Sequence, residues 1–108
     1  MPSRMELLRG FIAERPNEPF PRYALALEYK NAGQLDEAWE TFRMLMDEHR
    51  DYVPAYLHAG HTLLALNRVA EARLVFEGGI AASGRRGDSH SRGELEAALA
   101  QLGSGATG

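Results

Sequence analysis

Gly33, Glu37, Ala38 and Phe42 have counterparts 34 residues further on, at Asn67, Glu71, Ala72 and Phe76. Around the first set, Leu25 to Phe42 reads as two amphipathic helices joined by a tight turn at Gly33. A period of this length, with small and aromatic residues at fixed offsets, is the mark of a repeated helix–turn–helix unit. It predicts an all-α chain in which successive hairpins stack along one direction.

The periodicity within each segment predicts six helices. Over residues 3–14, Met5, Leu8, Phe11 and Ile12 form an apolar stripe, and Ser3 with Glu6 has the spacing of a capping box. Pro16 stops this helix, because proline disfavours helical geometry in the residue before it. Pro19 and Pro21 open the second helix, where the first-turn amides need no intrahelical partner. Its packing face carries Leu25, Ala26 and Tyr29, and Gly33 closes it in the left-handed conformation. The third helix, about Leu35 to His49, places Ala38, Phe42 and Leu45 on one side and mostly charged residues on the other. The fourth, Pro54 to about Leu66, carries Tyr56, Ala59, Gly60 and Leu63, with Asn67 in the role of Gly33. The fifth, about Val69 to Ala82, contains Gly78 and Gly79, each costing about 1 kcal/mol relative to alanine in a helix interior. That cost points to a close backbone approach. Ser83 to His90 reads as a polar linker, and residues 91–102 as a last helix bearing Leu95, Ala98, Leu99 and Leu102. Gly103 to Gly108 offers no large apolar group to dock and is expected to be disordered.

Composition narrows the function classes. The chain of 108 residues has the size of one domain, and its formal net charge of -3 gives no basic field for a phosphate backbone. There is no cysteine, which removes disulfides, thiolate metal sites and thiol nucleophiles. No apolar run is long enough to span a bilayer, and the start lacks the continuous apolar core of a signal peptide. A cytoplasmic location is the default expectation.

The repeat resembles the tetratricopeptide repeat (TPR) family, whose pattern is Trp-x2-Leu-Gly-x2-Tyr, then Ala-x3-Phe, then Pro. The first copy reads Arg22-x2-Leu25-Ala26-x2-Tyr29 and Ala38-x3-Phe42; the second reads Tyr56-x2-Ala59-Gly60-x2-Leu63 and Ala72-x3-Phe76. Thirty-four residues before Phe42 lies Leu8, and as far before Arg50 lies Pro16, so the first helix is similar to the second half of a repeat. Arg22 departs from the family's aromatic residue, and Arg50 and Gly84 from its proline. The whole layout, with Gly87-Asp-Ser-His90 before the last helix, is similar to a group of short bacterial TPR proteins. The resemblance implies a TPR-type helix-turn-helix solenoid, a right-handed superhelical array. Within a domain spanning 1–102 it implies a half repeat or cap at 3–16, repeats at 19–52 and 53–86, and a capping helix at 90–102, with 103–108 as tail. Such a short array exposes apolar ends unless capped. Ala26, Gly60, Ala38 and Ala72 are expected where the two helices of a repeat cross, and Phe42 and Phe76 to fill the space toward the next repeat.

The family binds peptides or helices on a concave face lined by the first helix of each hairpin. By repeat position the resemblance implies a groove formed by Tyr23, Leu27, Lys30, Asn31, Leu57, His58, His61 and Leu64. This face is apolar to neutral with one lysine. Tyr23 and Leu27 stand where family members that grip acidic chaperone tails carry lysine and asparagine, so an apolar or aromatic anchor from another protein or peptide suits the face better. The alternative is self-association as a homodimer through the same apolar face or a terminal helix.

The remaining motifs carry no chemistry. His58 and His61 share a helix face but lack a third ligand one turn away, so no metal or cofactor is expected. Gly103-Ser-Gly-Ala-Thr-Gly matches Gly-x-Gly-x-x-Gly but does not lie between a strand and a helix. Arg86-Gly87-Asp88 is a chance tripeptide, and the consecutive Asp88, Ser89 and His90 do not make a triad, which is a spatial arrangement. With no paired carboxylates and no phosphate loop, the chain is expected to be a binding protein and not an enzyme. The acidic balance speaks against nucleic acid.

Overall fold

The computed structural model describes residues 1–106, with side chains through residue 103. Its helices are α1 (Arg4–Glu14), α2 (Pro19–Asn31), α3 (Leu35–Glu48), α4 (Pro54–Ala65), α5 (Val69–Arg86) and α6 (Ser89–Ala106). There is no strand among the described residues. Each helix packs on its chain neighbours, and α2 also touches α4, as α4 touches α6. The array measures 49 × 30 × 19 Å, elongated as stacked hairpins must be.

Helix starts and stops follow local chemistry. At α1 the Ser3 hydroxyl accepts from the Glu6 amide at 3.1 Å and the Glu6 carboxylate accepts from the Ser3 amide, closing the capping box. Three helices end on one geometry. After α2 the Gln34 amide donates to the Tyr29 carbonyl and Gly33 to Lys30; after α4 Arg68 donates to Leu63 and Asn67 to Leu64; after α5 Asp88 donates to Ser83 and Gly87 to Gly84. Gly33, Asn67 and Gly87 have φ of +78°, +61° and +67°. This is the Schellman closure, which needs a left-handed residue at the turn.

Two expectations are corrected here. The polar linker at Ser83–His90 does not exist as such. Helix α5 continues to Arg86, leaving only Gly87 and Asp88 between it and α6. Ser83 is buried, and its hydroxyl donates to the Gly79 carbonyl at 2.8 Å, so a polar residue sits inside the helix with its hydrogen bond made. Asp88 then caps α6, accepting from the Ser91 amide at 3.0 Å and the Ser91 hydroxyl at 2.7 Å. At the other end α6 runs on through Gly103 to Ala106, residues assigned to the tail; Thr107 and Gly108 lie outside the described residues. Ala98, Leu99 and Leu102 pack on the core and carry the helix past Leu102.

The main core joins Ala26, Ala38, Trp39, Phe42, Leu45, Ala55, Tyr56, Ala59, Leu63, Ala72, Phe76 and Leu95, among others. The small residues sit where helices touch. A Cβ on Gly60 would lie 2.2 Å from the Phe76 ring, and one on Gly79 would lie 2.6 Å from the Tyr56 Cβ and 3.0 Å from Leu95. The glycine cost in α5 is therefore offset by the approach of α4 and α6. Both phenylalanines approach the first helix of their own repeat. Phe76 covers Gly60 of its own repeat, and the Phe42 ring lies 6.5 Å from Tyr23, also in its own repeat. Phe76 fills the crossing left open by Gly60. Contact between repeats is carried partly by Arg68, whose guanidinium stands 5.7 Å from the Trp39 ring while its Nε and Nη2 donate to Glu71 at 2.7 Å each.

Candidate functional site

The first helices of the two hairpins, α2 and α4, lie side by side, and α6 continues the row beyond α4. Pro54 plus one period is Asp88, so α6 begins where a third such helix would. On this row Tyr23, Leu27, Lys30, Leu57, His58 and Leu64 are half-buried, while Asn31 and His61 are exposed. Tyr23, Leu27, Leu57 and Leu64 all pack against the core from its open side.

Tyr23 is the hub. Its ring meets Tyr52 at 5.5 Å and His58 at 5.9 Å, both edge-on. Lys30 from α2 and His58 from α4 meet across the row, Nζ to Nδ1 at 3.3 Å. Burial lowers the pKa of Lys30. It also lowers that of His58, with the charge of Lys30 and then His61 adding to it. A neutral His58 leaves Nδ1 able to accept the lysine proton, so the hydrogen bond and the lowered pKa support each other. His61, exposed at its tip, is lowered by the partial cover of its ring and then by Lys30, and that ring stands edge-on to Phe76 at 5.6 Å. Burial raises Tyr23.

Between α2, α4 and α6 these side chains leave a cleft of about 230 Å³, lined by Tyr23, Val53, Pro54, Leu57, His58, Ser91, Glu94 and Leu95. Three sequence-predicted residues, Tyr23, Leu57 and His58, share it, and Lys30 joins them through His58. Leu27, Asn31, His61 and Leu64 lie outside its lining. Sequence reasoning missed the contribution of α6 (Ser91, Glu94 and Leu95). The period itself held the signal, since one further step from Pro54 marks where that helix starts. A larger depression of about 660 Å³ runs along Asp47–Tyr52 with Pro19, Arg85 and Arg86. There Arg85 donates to Asp51 at 2.7 Å, and the lining charges of both signs face one another.

Among the described residues no group of three His, Cys, Asp or Glu side chains could hold a metal ion. Nor is any described helix long and apolar enough to cross a membrane. The arrangement is that of a helical-hairpin array presenting a half-apolar row of side chains from its first helices.

No family model and no curated protein matches the chain. Solved structures do. A tetratricopeptide repeat domain protein from Salinibacter ruber, known in solution, is 31% identical, with a TM-score of 0.76 over 81% of this chain and 88% of its own. Its crystal structure matches at 30% identity, with the same TM-score, over 81% of this chain and 97% of that one. A protein from Bordetella parapertussis, 30% identical, reaches a TM-score of 0.81 over 96% of this chain and 90% of its own. Identity and coverage at this level, together with the 34-residue period, make the chain a member of the tetratricopeptide repeat family.

Proposed function

We propose that this protein is a non-catalytic interaction module that holds a peptide or helix of another protein, cytoplasmic like itself, in the groove formed by α2 and α4 and extended by α6. The observation that carries this reading is the open side of Tyr23, Leu27, Leu57 and Leu64, half-buried against the core in one row. Apolar surface left in a row between helices suits an apolar or aromatic side chain that inserts from a partner. The cleft beside Tyr23 and Leu57 has room for one such anchor. Lys30 and His58 at its edge can hydrogen-bond a backbone carbonyl of the same segment.

The test is selection of binders from a displayed random peptide library, followed by titration of the selected peptides. Leu57→Glu and Leu27→Glu should each weaken them at least tenfold, with helicity by circular dichroism unchanged. The exposed His61→Ala and Asn31→Ala should weaken them less. Peptides that bind all four variants as they bind the unmodified chain dispose of the groove.

A further inference from the structure

A second exposed apolar surface is on α1. Met5, Leu8 and Ile12 turn toward α2, forming a small core with Ala24 and Leu25. Leu7 and Phe11 do not, and they are 50% and 53% exposed. The repeat explains what they lack. One period on from Phe11 is Leu45, fully buried, and two periods on is Gly79, pressed against Tyr56 of α4. At Gly79 this position meets the first helix of its own repeat through Tyr56, and α6 through Leu95. In the described structure no such helix stands before α1, and Leu7 and Phe11 lie open.

What fits the face is readable from its pattern. Arg4, Leu7, Phe11 and Glu14 follow one another at intervals of three, four and three, one stripe of a helix. All four are exposed. The stripe is its own complement. Laid antiparallel on a second α1 about a two-fold axis, it sets Leu7 against Phe11 of the second copy and Arg4 against Glu14 of the second copy. Arg9, which would meet itself at the axis, lies round the helix and donates to the Tyr29 hydroxyl at 2.7 Å. Arg4 contacts Glu28 through Nε while its side chain stays 68% exposed. Among its described side chains, α6 exposes no large hydrophobic group, so a pairing of α1 with the outer face of α6 has less apolar surface to offer Leu7 and Phe11 than a symmetric one.

We infer that two copies of this chain associate through an antiparallel pairing of α1 helices, leaving both A-helix grooves free. The interface is one helix face per copy, so the dimer is weak and dissociates on dilution. The experiment is sedimentation of the whole chain from low to high concentration, with four variants. The unmodified chain should rise from monomer mass toward twice that mass. Phe11→Glu should remain monomeric throughout. Glu14→Arg should also remain monomeric, because it sets two arginines together. The double variant Arg4→Glu, Glu14→Arg should dimerise again, a rescue that only the antiparallel register yields. Leu57→Glu, in the groove, should dimerise like the unmodified chain. Three results overturn the inference. A monomer at every concentration leaves the face to a helix of some other protein. A dimer that survives Phe11→Glu but is lost with Leu57→Glu places the contact in the groove. Failure of the double variant to recover excludes this register.

Discussion

The two ends of the array meet the same problem differently. Among the described residues no helix follows α6 and none precedes α1. On α6 the large apolar side chains turn inward: Leu95 is buried against Gly79, and Ala98, Leu99 and Leu102 pack on the core. Its outer face shows Arg92, Glu96 and Gln101. On α1 three apolar residues turn inward, and Leu7 and Phe11 remain outside. A terminal helix solvates an array when its apolar residues occupy one stripe only; α1 carries two. The difference separates a helix that ends the stack from one that presents a surface.

Truncation at each end tests this contrast, and the largest effect belongs to α6. Leu95→Ala should cost about 2–5 kcal/mol in chemical denaturation, since it opens a cavity in the continuous core. Phe11→Ala, measured at a concentration where the chain is monomeric, should stay within about 0.5 kcal/mol. Equal costs would erase the contrast. Next comes the seam beneath Leu95. Gly79→Ala should destabilise by about 1–3 kcal/mol, because the new methyl meets the Tyr56 Cβ as well as flexible leucine ends. Gly10→Ala on α1, where an added Cβ meets nothing within 4 Å, should instead stabilise by about 0.5–1 kcal/mol. Thermal melts of the pair decide it.

The turn leading into α6 gives a smaller effect. Gly87→Ala should cost about 1–2 kcal/mol for its left-handed backbone, although nothing crowds an added Cβ there. The smallest effect is in the row between the two ends. His58 and His61 have folded pKa values below the usual 6.5. Their unfolded forms therefore bind more protons as pH falls below 6.5. Stability should be full above that value and should decline toward the folded pKa values, a slope that His58→Gln flattens. Denaturant midpoints taken at steps of pH read it directly.

Much of this fold was legible in the sequence, because its main determinants are local. Gly33 and Asn67 mark turns through their backbone conformation, and prolines mark the starts of α2 and α4. The Gly78-Gly79 pair signalled a close approach that Tyr56 and Leu95 make. The misreadings were tertiary. Ser83 looked like linker because a serine's burial depends on what packs over it, and its hydroxyl can bond within its own helix. Repeat position assigned the eight side chains to α2 and α4, three of which line the cleft, but not the share of the cleft supplied by α6. It also gave no sign of the Lys30–His58 hydrogen bond, since that pair is 28 residues apart in the chain.

The most direct measurement is backbone-amide NMR of the labelled chain, titrated with a peptide selected on it. Shifts should concentrate on α2, α4 and the first turns of α6, around Tyr23, Leu27, Leu57 and His58, with the α1 stripe unmoved. Shifts confined to α1, or to α3 and α5, would contradict it.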